Sequence, residues 1–144
     1  MESYLRVAAE LENLGAIRRF VQEAAAALET DPAVIPDVLL AVDEAATNII
    51  IHGYRGRSGL VELEVSRADD ALVIRLHDRA TPFDPTEVPP PDLTLPLEQR
   101  PVGGMGIYLM QQLMDEVTYR TTPQGGNWLT MLKRGVFDLR ASGA

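Results

Sequence analysis

Polar side chains recur at one-turn spacing along the predicted second helix. Glu44, Asn48 and His52 are four residues apart, and at about 100° per residue they span about 80° of the helical wheel. Apolar residues fill the opposite face, but Leu40 and Ile51 fall inside the polar arc. A purely solvated stripe is not usually flanked in this way. The arc therefore either lines a pocket or is an ordinary solvated helix face.

A carboxylate ends an otherwise apolar row on a predicted strand. Leu72, Ile74, Leu76 and Asp78 share one face of this strand, because side chains alternate between the two faces of a sheet. A charge in that row must be exposed at the strand end, paired, or hydrogen-bonded to a specific group. An aspartate that starts the turn towards Pro82 explains the position equally well.

A glycine-rich segment directly precedes the predicted third helix. Gly103, Gly104 and Gly106 stand there with Met105 between them. Glycines let the backbone approach a ligand closely, and a helix N-terminus offers free N–H groups, a combination that suits phosphate. The segment is neither a P-loop, since no Lys-Ser or Lys-Thr follows, nor a dinucleotide fingerprint, since no strand leads into it. A flexible hinge is the alternative.

Composition excludes several other functions. The 144 residues include no cysteine, which removes disulfides, thiolate catalysis and cysteine-ligated zinc. The net charge is −8, from 13 basic and 21 acidic residues, and the arginines are scattered, so direct binding to nucleic acid or to an anionic membrane is not expected. The sequence shows neither a membrane-span-length apolar run nor a secretory signal. We therefore expect a cytoplasmic protein.

Periodicity predicts the elements that must position these groups. In chain order they are an edge strand at 3–8, helices at 13–29 and 36–52, a hairpin of strands at 61–65 and 71–78, a helix at 107–114, and a hairpin of strands at 117–122 and 128–134. Seven of the ten prolines fall within residues 79–101, which is typical of a lid or binding loop. This order predicts an α+β two-layer sandwich, with a mixed, mostly antiparallel sheet and the helices on one face.

Three motifs follow one another along the chain. They are Glu-Ala-Ala-Thr-Asn-Ile-Ile-Ile-His-Gly-Tyr at 44–54, Asp-Arg-Ala-Thr-Pro-Phe-Asp-Pro at 78–85, and Arg-Pro-Val-Gly-Gly-Met-Gly-Ile-Tyr-Leu at 100–109. In this order and spacing they resemble the GHKL (Bergerat-fold) ATP-binding superfamily, and more narrowly the anti-sigma factor serine/threonine kinases of bacterial partner-switching systems. The resemblance implies a single histidine-kinase-like ATP-binding domain at 1–136, with an ATP lid at 84–102 and a tail at 137–144.

The resemblance implies roles for the matching residues. Glu44 corresponds to the general base that activates the attacking hydroxyl, Asn48 to the Mg²⁺ ligand, and Asp78 to the acceptor for the adenine amino group. His52 is structural or close to the phosphates. ATP and Mg²⁺ are the implied cofactors. Further ATP contacts are implied for Ala80, Phe83, Arg100, Gly103, Gly104, Met105, Gly106 and Thr130.

One position departs from the family pattern. The second motif is usually Asp-x-Gly, and this chain has Ala80 in place of the glycine. Glycine permits a positive φ and a close approach of the backbone to the base. The alanine methyl either weakens the adenine contact or fits without cost if φ is negative.

Two functions from different classes follow. The resemblance implies an ATP-dependent protein serine kinase that binds a sigma factor and phosphorylates an anti-anti-sigma antagonist of the STAS type, and stand-alone members commonly form homodimers. Ala80 motivates the alternative, a non-catalytic module that sequesters a partner, with weak or structural nucleotide binding. The ATPase half of a sensor histidine kinase is disfavoured, because no dimerisation helix precedes the domain in this sequence.

Overall fold

The chain forms two layers, an antiparallel sheet and a set of α-helices packed on one of its faces. The structure is a computed structural model that describes residues 2–87 and 104–137, together with Thr94 and Pro96. Its strands are β1 (Ser3–Ala8), β2 (Leu60–Ala68), β3 (Ala71–Asp78), β4 (Glu116–Thr122) and β5 (Gly126–Lys133). Its α-helices are α1 (Leu14–Ala27), α2 (Ile35–Asn48) and α3 (Gly104–Leu113). The predicted α+β sandwich is confirmed.

The sheet has the strand order β1-β2-β3-β5-β4. Each neighbouring pair is antiparallel, so the described strands contain no parallel pair, although a mixed sheet was predicted. β1 lies at one edge, as predicted. Across the central β3–β5 pair, Asp78 is opposite Asn127 and Arg75 is opposite Thr130. This register decides which side chains of β5 face the helices.

The core lies between the inner face of the sheet and the helices. Alternate residues of β2 and β3 are fully buried, as the period-two pattern predicts. The helices contribute residues of equal burial at three- and four-residue spacing. Full burial of each such side chain stabilises the fold by about 1.5–3 kcal/mol, so the packing of the helices on the sheet is firmly set. The residues in contact include Ile17, Val21, Val38, Val42, Val61, Leu63, Val65, Leu72, Ile74 and Leu76.

The second helix ends in an unusual way. α2 continues directly into a π-helix, Ile49–Tyr54, which stops at Arg55 in the left-handed conformation with φ 54°. Tyr54 is buried, and its hydroxyl donates to the carbonyl of Leu60 at 2.7 Å and accepts from the N–H of Arg79 at 3.0 Å. The predicted helix at 36–52 is thus confirmed in substance. Its end is tied to the loop that follows β3.

The C-terminal end of the folded body differs slightly from the prediction. Residues 137–144 were expected to form a tail, but Phe137 is buried and pairs with Thr30 in an isolated β-bridge. The packed body therefore includes Phe137, and residues 138–144 lie outside the described residues. Most of the predicted lid at 84–102 also lies outside them. No helix in the described part of the chain has the length and hydropathy needed to span a bilayer.

Candidate functional site

A cleft opens between α2 and the end of β3, and we call it the α2–β3 cleft. It brings together three residues that the sequence singled out, Asn48, Asp78 and Phe83. The polar arc of α2 thus does line a pocket through Asn48, whereas Leu40 and Ile51 in that arc are exposed. The lining residues are Ala45, Asn48, Ile49, Gly53, Asp78, Thr81, Phe83, Pro85, Met110, Tyr119, Asn127 and Leu129.

Asp78 is the buried carboxylate of the cleft, with 6% of its surface exposed. Its Oδ1 accepts hydrogen bonds from the N–H of Ala80 at 2.9 Å and from Nδ2 of Asn127 at 2.8 Å. Burial raises the pKa of Asp78, and these two hydrogen bonds and the nearby His77 lower it by less. Among the described residues none donates to Oδ2, so this oxygen is available to accept a hydrogen bond from a ligand.

Asn127 is a site residue that the sequence analysis missed. Its Nδ2 donates to Asp78 and to the carbonyl of Ala80 at 2.9 Å, and its Oδ1 accepts from the hydroxyl of Tyr119 at 3.0 Å. The predicted last strand began at residue 128, but β5 begins at Gly126. Extending the predicted strand by two residues would have included Asn127, but its pairing with the end of β3 depends on the β3–β5 register, which the hairpin pattern does not give.

Thr130 lies on the last strand, as the resemblance implied, but on the face of the sheet away from the cleft. The buried side chains at the start of β5 are Asn127, Leu129 and Met131, and the side chains between them face the other side of the sheet. Thr130 is opposite Arg75, three ladder positions from Asp78. The register therefore brings Asn127 rather than Thr130 to Asp78, and a contact of Thr130 with adenine stays a prediction that this placement does not support.

Ala80 fits its position without backbone strain. The described non-glycine residues with positive φ are Glu29, Arg55 and Asp69, so Ala80 is not in the left-handed region that would require glycine. A Cβ added at Gly53 would lie 2.9 Å from the Cβ of Ala80. The methyl group therefore packs over the bare backbone of Gly53 on the π-helix. Of the two alternatives for this substitution, the structure supports the one without cost.

Glu44 lies one turn before Asn48 and meets the start of α3. A Cβ added at Gly106 would lie 2.2 Å from Oε2 of Glu44, so only glycine allows α3 to approach the carboxylate this closely. Burial raises the pKa of Glu44, and the charge of Asp43 raises it further. The structure thus brings the predicted base and the predicted phosphate-binding glycine together.

The other predicted residues of the third motif are placed only in part. α3 begins at Gly104, three residues earlier than predicted, so Gly104 and Gly106 are in its first turn. Arg100, Gly103 and the side chain of Met105 lie outside the described part of the chain.

Asn48 provides the polar group best suited to a cation. Its Nδ2 is buried without a hydrogen-bond partner among the described residues, so no internal hydrogen bond of this nitrogen fixes the orientation of the amide. Within those residues there is no cluster of three or more His, Asp or Glu side chains that would form an all-protein metal site. Mg²⁺ is typically held by one or two protein oxygens together with substrate phosphates and waters. The Asn48 amide oxygen fits that donor set.

His52 lies at the rim of the cleft. Its ring stacks on the ring of Phe83, with centroids 5.6 Å apart and an interplanar angle of 24°. The contact joins the π-helix to the segment after β3. His52 thus supports Phe83, and the geometry favours the structural role over the phosphate-proximal one.

Comparisons with known proteins relate this chain to a protein family. The model of the histidine kinase-like ATPase domain matches residues 7–133. An anti-sigma F factor of Thermoanaerobacter sp. (strain X514) is 34% identical over 113 residues, covering 76% of this chain and 78% of that protein. The serine-protein kinase RsbW of Bacillus cereus (strain AH187) is 34% identical over 87 residues, covering 58% of this chain and 54% of that kinase.

The fold has a counterpart among solved structures. The structure of the RsbU and RsbW domains of a Mycobacterium tuberculosis protein matches with a TM-score of 0.66 and 18% identity, over 93% of this chain and 32% of that one. At that identity the likeness concerns the fold alone. The domain match, however, spans most of the sequence, and the anti-sigma F factor aligns over most of both chains. The chain belongs to the family of histidine kinase-like ATPase domains.

Proposed function

We propose that this chain is an ATP-dependent protein serine kinase that acts as an anti-sigma factor in a partner-switching system. The observation that carries the proposal is the close approach of Glu44 to Gly106 at the start of α3. Glu44 lies on α2, one turn before Asn48. A carboxylate, an amide and a helix N-terminus within one small region match the needs of phosphoryl transfer, which are mainly positioning and charge stabilisation.

The end of the cleft at Asp78 suits an adenine base. With Oδ1 held by two protein donors, Oδ2 is an acceptor for an N–H group of the ligand. The adenine amino group is such a donor, whereas guanine presents a carbonyl at the same ring position. Apolar walls from Ile49, Met110 and Leu129 provide contact for a planar ring.

The other end suits a triphosphate. The N–H groups in the first turn of α3 have no partner within the helix and would bind phosphate oxygens. The Asn48 oxygen would hold Mg²⁺. When bound, Mg²⁺ would neutralise phosphate charge. The Glu44 carboxylate would take the proton of a serine hydroxyl as that oxygen bonds to the γ-phosphorus and ADP departs. Its raised pKa brings it closer to the range of an efficient general base.

The relatives support the finer parts of the proposal. One is named an anti-sigma F factor and another a serine-protein kinase. By analogy we propose a sigma factor as the sequestered partner, a STAS-type anti-anti-sigma protein as the phosphorylated one, a homodimeric state and a cytoplasmic location. The alternative of a non-catalytic module was motivated by Ala80, and the absence of backbone strain at Ala80 favours the kinase over it.

The test separates nucleotide binding from phosphoryl transfer. Wild-type protein, Glu44→Ala and the control Glu23→Ala, which changes an exposed carboxylate on α1, are titrated with Mg-ADP in a calorimeter. Each is then incubated with Mg-ATP labelled at the γ-phosphate and a STAS-domain protein from the same genome. We expect all three to bind Mg-ADP, and only wild type and Glu23→Ala to label a serine. Undiminished labelling by Glu44→Ala would refute the base assignment, and no Mg-ADP binding by wild type would refute the nucleotide site.

A further inference from the structure

A chain of hydrogen bonds connects Asp78 to the loop that follows β3. The N–H of Phe83 donates to the hydroxyl of Tyr119 at 3.0 Å, and this hydroxyl donates to Oδ1 of Asn127 at 3.0 Å. Nδ2 of Asn127 then donates to Oδ1 of Asp78 at 2.8 Å. We call this chain the Tyr119 relay. Every donor in it points towards the carboxylate, so its bonds reinforce one another.

The direction of the relay is fixed by its partners. Nδ2 of Asn127 faces two acceptors, Asp78 and the carbonyl of Ala80, so Oδ1 must face Tyr119. Because the Tyr119 hydroxyl accepts from the N–H of Phe83, its own proton goes to Asn127. Removing this one hydroxyl leaves the Asn127 oxygen, in a buried residue, without its donor and the Phe83 N–H without its acceptor.

The relay also holds one wall of the α2–β3 cleft. Phe83 and Tyr119 both line the cleft. The backbone of Phe83 is held by Tyr119, and its ring is stacked on His52. The Tyr119 hydroxyl thus contacts both Asn127, which holds Asp78, and Phe83, which forms the wall.

We propose that Tyr119 and Asn127 are positioning residues that couple recognition of the base amino group at Asp78 to the placement of the Phe83 wall, and so determine selectivity for 6-aminopurines. The proposal rests on the proposed nucleotide site. Asn127 and Ala80 together hold Oδ1 of Asp78, which leaves Oδ2 for the ligand. If Asn127 loses its anchor at Tyr119, one of the two donors that hold Oδ1 is less firmly placed. The carboxylate is then less well oriented, and an amino group on the base gains less from it.

The test is a thermodynamic cycle in which one hydroxyl group is removed from the protein and one amino group from the ligand, separately and together. Dissociation constants are measured for Mg-ADP and for the Mg-diphosphate of purine riboside, which lacks the amino group, with wild type, Tyr119→Phe and Tyr4→Phe. Tyr4 is a matched control, because its hydroxyl donates to Glu62 beside the edge strand β1, at the opposite edge of the sheet from Tyr119. We expect wild type and Tyr4→Phe to prefer ADP equally, and the preference of Tyr119→Phe to fall by about threefold or more.

A merely structural role predicts a different result. If Tyr119→Phe weakens both ligands by the same factor, or neither, the coupling is refuted while the proposed nucleotide site stands. If wild type binds neither ligand, the proposed nucleotide site fails and the coupling fails with it. Thermal melting shows whether Tyr119→Phe is folded. If Tyr119→Phe is not folded, Asn127→Ser, which interrupts the relay at its centre, is measured in the same cycle. A loss of its preference for ADP supports the coupling, and an unchanged preference refutes it.

Discussion

Replacing Asp78 by asparagine is expected to separate ligand recognition from fold stability. Both protein donors to this side chain, the N–H of Ala80 and Nδ2 of Asn127, bind Oδ1. Asparagine has an oxygen that can accept both, and its NH₂ group then takes the place of Oδ2. The internal hydrogen bonds of the Asp78→Asn variant are thus kept, but the atom offered to the ligand changes from an acceptor to a donor.

The expected loss of affinity follows from one hydrogen bond. A hydrogen bond to a charged group contributes about 1.5–3 kcal/mol, so Asp78→Asn should bind Mg-ADP about 10- to 150-fold more weakly. Inosine diphosphate carries a carbonyl where adenine carries its amino group, and the new NH₂ group can donate to it. The ratio of the two affinities should therefore shift towards Mg-IDP by at least that factor.

The effect on stability has the opposite sign. Burial raises the pKa of Asp78 in the folded state above the ordinary value of 3.8, which applies to the unfolded state. At a pH between the unfolded-state pKa and the folded-state pKa, the folded state therefore binds more protons than the unfolded state. The free energy of unfolding consequently falls as the pH rises through this window. At neutral pH the ionised carboxylate destabilises the fold, and Asp78→Asn should raise the Tm. This gain should disappear in acid, where the carboxyl group is protonated in both states.

The assay combines calorimetric titration with Mg-ADP and Mg-IDP at pH 7.5 and thermal melting from about pH 3 to pH 8, which extends below the ordinary pKa of 3.8. Asp70→Asn, in the turn before the same strand, is the control, because Asp70 is exposed and far from the cleft. It should leave both affinities unchanged. Unchanged ADP affinity in Asp78→Asn, or a Tm at neutral pH below that of wild type, would contradict the reasoning.

Three further predictions concern the glycines and the base. Gly106→Ala should abolish serine labelling, because its Cβ would meet the Glu44 carboxylate at 2.2 Å. The control Gly15→Ala should leave labelling intact, because its Cβ would have only one neighbour, at 3.9 Å. Gly53→Ala should lower the free energy of unfolding by about 1–3 kcal/mol, and adding Ala80→Gly should restore it in denaturant melts, since the two Cβ atoms would be 2.9 Å apart. The rate of labelling should fall in acid with an apparent pKa above 4.5, because burial and a neighbouring carboxylate raise the pKa of Glu44; an apparent pKa at or below 4.5 would contradict the base assignment.

Local sequence patterns were sufficient for the elements and for the individual motif residues. The repeat of Val61, Leu63 and Val65 predicted a half-buried strand, and these side chains are fully buried on one face of β2. Asp78, at the end of an apolar row in the sequence, lines the α2–β3 cleft. Patterns of this kind suffice because burial at a period of two or 3.6 residues is a local property of the sequence.

Strand register was not available in the same way. A hairpin prediction fixes neither the first residue of a strand nor its pairing, and a shift of one residue reverses the face of every side chain. This is why Thr130 was favoured and Asn127 was not. The hydrogen bond that the N–H of Phe83 donates to the Tyr119 hydroxyl joins a loop to β4, 36 residues further along the chain. No periodicity in the sequence indicates such a contact.

The two ends of the site depend on the same helix, although their tasks differ. Gly53, just beyond α2, supports the Ala80 methyl at the base end, and Glu44 on α2 meets Gly106 at the phosphate end. Because core residues of α2 are fully buried in the same cluster as those of β2 and β3, the spacing between the two ends is set by the fold rather than by the ligand. Substitutions at the base end should therefore change nucleotide affinity and selectivity, while substitutions at the phosphate end change transfer to serine. A variant such as Gly106→Ala that lost ADP affinity as severely as Asp78→Asn would show that the two ends do not act independently.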